Sequence, residues 1–334
     1  MSSKIGTKII FIVVVLLLVV AGLFFRAMHQ PQFLANTALS ILKQHPGAVI
    51  FKEITLEKVR WLSWNKLTLH NLRVKCKIQG ASYFFSAGDV GIDHLNGLIG
   101  SQPLNVEVKN LAIVNDALNV SDIQLQGKVY FDWFHYQHAQ GLFKASRLEW
   151  GKYLLADVQS DFRDHGTYLD FADLQGRFYG GEIHLQGNIH YLPQLIYNVE
   201  VKIDQIHSQL MAEANEGFSQ LTAVIDGNIQ INSPRYHEIS LRANLKAPLG
   251  GTMKASLLRY LAQYVPQRQQ IEDLIRQNAQ VPLDKAQANI LSIDSENISS
   301  EVVLNSSSLN LNMKVKFDIH LEGGLGSLLE YIHQ

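Results

Sequence analysis

The sequence predicts a mostly β protein, in which a long twisted antiparallel sheet forms a groove or a sandwich. An N-terminal transmembrane helix and a few short amphipathic helices complete the predicted fold. Three observations support it. One unbroken apolar run stands near the start of the chain. Apolar residues alternate with polar ones over much of the remainder, and turn residues recur roughly every ten positions, as in a meandering sheet.

The apolar run covers residues 9–25. As a helix it is about 25 Å long, close to the ~30 Å hydrocarbon core of a bilayer. Lys4 and Lys8 precede it, which favours a cytoplasmic N-terminus and an exported remainder. A cleaved signal peptide is the alternative, but no clear A-x-A site follows the run and Arg26 comes directly after it. We therefore predict an uncleaved transmembrane anchor over residues 1–28.

Apolar residues at helical spacing indicate three further helices. Residues 29–48 predict an amphipathic linker helix that ends at Pro46 and Gly47. A second helical pattern covers about residues 252–279, beginning near Met253, and Pro266 interrupts it. The third covers about residues 325–332. The rest of residues 49–334 predicts one β-rich domain of about fifteen strands, and these helices would cover less than half of such a sheet.

Two stretches of strict alternation define the apolar face of the predicted sheet. One follows the double glycine of "FYGGEIHLQGNIHYL", and the other is "LNLNMKVKFDIHL". An apolar face must be covered by a second sheet, by helices or by a ligand, so a dry sandwich and a lined trough both stay open. The candidate lining residues are Ile183, Leu185, Ile189, Leu309, Leu311, Met313, Val315, Phe317, Ile319 and Leu321.

Composition and motifs exclude several classes of function. The formal net charge of -1 gives no basic field for nucleic acid. Cys76 is the single cysteine, which rules out an internal disulfide and a cysteine-based zinc site. The chain contains no phosphate-binding loop, GxGxxG, GxSxG or HExxH motif. We therefore predict a protein that is not an enzyme and uses no metal or cofactor. The segment "FDWFHYQH" is either an interfacial aromatic patch or a strand edge packed beneath a loop.

Residues 50–325 resemble the AsmA/TamB-like proteins of diderm bacteria, including the YdbH-related group. The likeness lies in the "GRFYGGEI" turn with Gly176, Gly180 and Gly181, and in the "DGNIQI" strand with Gly227. It implies a single-pass inner-membrane protein with a periplasmic sheet that carries a hydrophobic groove. The chain is much shorter than the large members of that family, which favours a shuttle, an adaptor or one segment of an assembly.

On this resemblance the protein is expected to bind or shuttle phospholipid and to support outer-membrane biogenesis. Its expected partners are phospholipid, the inner membrane and other envelope proteins. An unbroken apolar strip suits acyl chains, and alternation gives one face for them and one for water. The alternative hypothesis is a non-enzymatic structural or assembly factor whose β-sandwich is dry inside.

Overall fold

The computed structural model describes residues 31, 35–36, 49–78, 81–100, 102–115, 118–133, 135–190, 196–212, 220–235, 238–259, 268–294 and 296–320. The predicted anchor, most of the predicted linker helix, the predicted helix at residues 325–332 and Leu321 lie outside these ranges. Among the residues described, no helix combines the length and the apolar character that crossing a bilayer requires. The described chain is mostly β and its strands pair antiparallel, which confirms the predicted fold class at that level.

From Val49 onwards, the structure describes 18 strands, two α-helices and three 3-10 turns within these ranges. The first nine strands are β1 Val49–Thr55, β2 Lys58–Ser63, β3 Lys66–Ile78, β4 Ala81–Asp93, β5 Leu104–Val114, β6 Leu118–Asp132, β7 His135–Trp150, β8 Tyr153–Asp164 and β9 Tyr168–Phe178. The others are β10 Gly181–His190, β11 Ile196–His207, β12 Leu221–Arg235, β13 Glu238–Ala247, β14 Gly251–Lys254, β15 Gln280–Leu283, β16 Lys285–Ser292, β17 Asn297–Ser306 and β18 Leu311–His320. The helices are α1 Ser208–Met211 and α2 Arg268–Arg276, and the 3-10 turns are Leu95–Ile99, Ala255–Leu258 and Ser307–Leu309.

The chain divides into two compact units. The N-terminal unit contains Met1–Gln175 and Gln186–Tyr197, and the C-terminal unit contains Gly176–Leu185 and Asn198–Gln334. In the N-terminal unit, β1 and β2 lie end to end along one edge of β3. From β3 to β8 each strand then pairs with the next one in sequence. Such a meander needs only short turns, which agrees with the spacing of turn residues in the sequence.

In several strands of the N-terminal unit, the alternation of side chains between the two faces shifts by one residue, and it does so at the same level in neighbouring strands. At this level the backbone has positive φ at four residues: Asn71 (51°), Asn110 (52°), Asp122 (54°) and Asp157 (50°). Asparagine and aspartate tolerate this conformation better than other side chains do. Without the shift, an apolar spacing of three residues would turn half of each strand towards solvent. With it, Leu69 and Leu72 lie on the same face.

The C-terminal unit is a second antiparallel arrangement with its own core. The first part of β12 pairs with β14 and its second part pairs with β13, which continues through β16, β17 and β18. Strand β14 also pairs with β15. Side chains from β14, β15, β18 and α2 form the core, and Ile271 of α2 is only 1% exposed. This helix therefore covers part of the sheet.

Two sequence-based assignments in this unit were wrong. The pattern at about 252–279 is not one helix: Met253 lies in β14 and pairs with Val281, and a 3-10 turn follows, so α2 is the helical part of the range that the structure describes. Leu309 was assigned to the last strand, but it ends a 3-10 turn. Asn310 follows with φ 48°, and the strand begins only at Leu311. In both places a tertiary contact or a turn overrides the local spacing.

Candidate functional site: an apolar cleft in the N-terminal unit

Apolar side chains of the N-terminal unit line up in rows across neighbouring strands. In an antiparallel pair, directly opposed residues share a face, so the register identifies each row. One row consists of Leu69, Val90, Val108, Leu125 and Phe143. A second row consists of Leu67, Ile92, Val106, Gly127, Gly141 and Phe162. Together the rows form a continuous apolar surface from β3 to β8.

This surface encloses a cleft with a volume of about 530 Å³. Its lining comes from β1 and from β3 to β9, and the surface that it exposes is apolar throughout. The volume falls within the ~300–1,000 Å³ that is typical of ligand sites. Leu125, Phe143 and Phe162 line it and are only half-buried, in contrast to the fully buried Leu67 of the adjoining core. The cleft is therefore a recess in the core.

Two facing glycines leave the middle of the second row without side chains. Gly127 and Gly141 are opposed in the register of β6 and β7. A Cβ atom on Gly141 would lie 2.3 Å from the carbonyl oxygen of Gln126, closer than real Cβ contacts come. The two strands approach each other too closely for any other residue. The gap in the row between Val106 and Phe162 is therefore a consequence of the pairing itself.

Two titratable residues, Asp164 and Cys76, stand at opposite ends of the cleft, although the surface that lines it is apolar throughout. Asp164 is buried, and its carboxylate accepts a hydrogen bond of 2.9 Å from the backbone N–H of Gly166. At the other end, burial raises the pKa of the Cys76 thiol to about 11. Cys76 is therefore a neutral thiol at physiological pH and acts as a small apolar side chain.

The opposite face of the same strands is polar. It carries a concavity of about 1020 Å³ whose lining includes charges of both signs. The Lys66 ammonium lies 3.1 Å from Asp93, and Lys109 lies 3.1 Å from Glu107. The hydrogen bond from Lys109 keeps the pKa of Glu107 below its ordinary value. These charges pair with one another at the surface, so this face is an ordinary solvated one.

None of the predicted lining residues that the structure describes lines this cleft. Ile183 and Leu185 on β10 belong to the C-terminal unit, and Ile189 belongs to the N-terminal unit; all three are half-buried. The predicted apolar stripe at residues 309–321 divides into a buried part and an exposed part. Leu309, Leu311 and Met313 are buried in the core of the C-terminal unit, with Val315 packed against it. Phe317 and Ile319 are 42% and 46% exposed.

The cleft was missed because its strands alternate irregularly. Its walls come from "LTLHNLRV", "VEVKNLAI" and "VSDIQL", in which an apolar spacing of three interrupts the spacing of two. A local signal could have identified the cleft. In each segment an Asn or Asp stands directly before the apolar residue that ends the spacing of three, as at Asn71, Asn110 and Asp122. These are the residues that adopt positive φ.

Comparison of the chain with protein-family models, with curated proteins and with solved structures found no match in any of the three. The resemblance to the AsmA/TamB-like proteins therefore stays a prediction from the sequence. Within the ranges that the structure describes, no three His, Cys, Asp or Glu side chains converge as metal ligands. The cleft offers an apolar environment for a ligand in the N-terminal unit.

Proposed function

We propose that this protein binds phospholipid through an acyl chain in the apolar cleft of its N-terminal unit, as a membrane-anchored carrier or shuttle of the bacterial envelope that supports outer-membrane biogenesis. The observation that carries the proposal is the apolar recess of about 530 Å³, whose lining includes the half-buried Leu125, Phe143 and Phe162. The predicted anchor at residues 1–28 and the family resemblance supply the envelope setting. The proposal requires no catalytic group.

The energetics suit a carrier. Burying a methylene group gives about 0.8 kcal/mol, so a chain segment of about ten methylenes gains roughly 8 kcal/mol relative to water. A phospholipid in a bilayer has already gained the same amount, because its chains lie in hydrocarbon. Transfer between bilayer and cleft is therefore close to balanced, and the protein can both take up and release its cargo.

The test is the phospholipid content of the full-length chain extracted in mild detergent, measured by mass spectrometry. Leu125 lines the cleft and is half-buried, so two variants act on the cleft in different ways. Leu125→Asp places a charge against the chain, and Leu125→Trp fills the space with apolar volume. Phe317→Asp, at an exposed position of the C-terminal unit, is the matched control.

We expect phospholipid with the wild type and with Phe317→Asp, and loss of most of it with both Leu125 variants. Circular dichroism should show that Leu125→Trp keeps the β fold, since the substitution adds no charge to the core. Absence of phospholipid from the wild type, or full retention by Leu125→Trp, would overturn the proposal.

A structural or assembly factor is the second candidate. The observation that favours it is the C-terminal unit, where most of the predicted lining stripe packs against Ile271 and Val281 and forms a core. This alternative expects no phospholipid with the wild type. Photo-crosslinking from the exposed Ile319 should then capture envelope proteins, whereas the carrier proposal does not require such partners.

A further inference from the structure

Two tryptophans of the N-terminal unit are almost fully exposed. Trp64 is 72% exposed and lies in the turn between β2 and β3. Trp133 is 71% exposed and directly follows Asp132, the last residue of β6. A large apolar ring in this position contributes nothing to the core. Neither residue lines the cleft, so the proposed carrier function does not account for them.

Both tryptophans lie at the same end of the unit, on either side of the 3-10 turn Leu95–Ile99. At its start, the backbone N–H of Leu95 donates to the carbonyl oxygen of Asn65, the neighbour of Trp64, at 3.2 Å. At its far side, Gly100 lies against Asp132, the neighbour of Trp133, since a Cβ there would be 3.6 Å from the Asp132 carboxylate. A 3-10 turn of five residues is about 10 Å long, so the two rings flank one small surface.

The backbone at Trp133 makes the choice of tryptophan costly. Its φ is 43°, in the left-handed region that bulky side chains rarely adopt. Asparagine or glycine would satisfy this turn without strain, as asparagine does at Asn71 and Asn110. A strained and exposed side chain is typical of positions that act on something outside the fold. The indole is therefore explained by a partner and not by folding.

A bilayer surface is the partner that fits this end. Tryptophan combines an apolar ring with one N–H donor, and it is enriched where hydrocarbon meets headgroups. Both rings stand on hairpin tips beside polar residues, Ser63 and Asn65 at one tip and Asp132 at the other. Projecting tips with single rings can insert between headgroups.

Val49 lies at the end of the unit opposite the two tryptophans. The chain enters the N-terminal unit at Val49, which pairs with Ile78 at the far end of β3, whereas Trp64 stands just before its near end. Strand β3 has 13 residues, so about 40 Å separates the two ends. We infer that Trp64 and Trp133 form a docking surface for a second bilayer, distinct from the one that the predicted anchor enters. This inference does not depend on lipid binding in the cleft.

The test uses the full-length chain held in phosphatidylcholine nanodiscs. These are mixed with vesicles of phosphatidylcholine and phosphatidylglycerol, and co-flotation measures binding. The test variant is Trp64→Ser with Trp133→Asn. The matched control is Leu154→Ser, an exposed apolar residue at the start of β8 and therefore at the opposite end of the unit. We expect binding by the wild type and the control, and a loss of about tenfold or more in the double variant.

Three further readouts separate docking from other effects. Brominated phosphatidylcholine in the vesicles should quench tryptophan fluorescence in the wild type. Trp133→Asn alone should leave the thermal midpoint unchanged or raise it, because the left-handed strain is relieved. Leu125→Asp, which disables the cleft, should still dock. Three outcomes would overturn the inference. The double variant could float with the vesicles as well as the wild type does, or tryptophan fluorescence could be quenched only when the brominated lipid is in the nanodisc. The third is a lower thermal midpoint for Trp133→Asn than for the wild type.

Discussion

From the pairing of β6 with β7 we predict that replacing Gly141 by alanine destabilises the protein. In Gly141→Ala the new methyl group would lie 2.3 Å from the carbonyl oxygen of Gln126 and 2.8 Å from the Cα of Gly127. Both are backbone atoms of the facing strand, so no side chain can turn away to make room. Real Cβ contacts essentially never fall under 3.0 Å, so the strands must separate by at least 3.0 − 2.3 = 0.7 Å.

The cost follows from what this separation disturbs. Forcing an extra methyl group into a packed site costs about 1–3 kcal/mol. The ladder hydrogen bonds nearest the glycine pair lengthen as well, and each contributes about 0.5–1.5 kcal/mol. We therefore expect Gly141→Ala to lose about 3 kcal/mol. For a domain of about 150–250 residues that loss lowers the thermal midpoint by roughly 6–12 °C.

Gly91→Ala is the matched control for this prediction. Gly91 lies on β4 in the same unit, but a Cβ there would be 3.8 Å from the nearest atom, the carbonyl oxygen of Glu107. That is an ordinary contact, and replacing glycine in a strand reduces the entropy of the unfolded chain. Gly91→Ala should therefore unfold at the wild-type temperature or slightly above it, as followed by far-ultraviolet circular dichroism. Equal midpoints for the two variants would refute the close approach of β6 and β7.

Two other predictions concern Cys76 and the last strand. Raising the thiol pKa from 9.0 to about 11 leaves about a hundredfold less thiolate below pH 9. N-ethylmaleimide should therefore label native Cys76 at least that much more slowly than the urea-unfolded chain, and the labelling rate should rise with pH up to about pH 11. Equal labelling rates for the native and the unfolded chain would contradict the burial of Cys76. Met313→Asp buries an unpaired charge in the core of the C-terminal unit and should lower the free energy of unfolding in urea by about 3 kcal/mol or more. Phe317→Asp, at an exposed position, should lower it by less than about 0.5 kcal/mol. Similar losses for the two variants would show that the apolar stripe is not divided into a buried and an exposed part.

The sequence was informative wherever structure depends on neighbouring residues. Strands such as β5 and β6 were recognisable from composition and turns, because a strand places successive side chains on opposite faces. The helix predicted at about 252–279 failed because Met253 is held by Val281, a residue 28 positions away in the chain (281 − 253). Spacing of apolar residues carries no information about such a partner.

The same limit explains the candidate site. Leu125 and Leu311 each have an apolar residue two positions before them, Ile123 and Leu309, and this spacing does not tell which of the two lines a cleft. Leu311 packs in a core that includes Ile271 of α2 and is buried, whereas Leu125 lines a recess. The recess arises beside Gly127 and Gly141, whose pairing brings two strands too close for a side chain.

By itself, then, the sequence determined that this chain forms antiparallel strands with one apolar face, because a period of two is a property of each strand alone. Only the tertiary structure decided which apolar rows are covered, which face a cleft and which stand in solvent. The physical reason is that burial belongs to pairs of surfaces, and the second surface is supplied by residues far away in the chain.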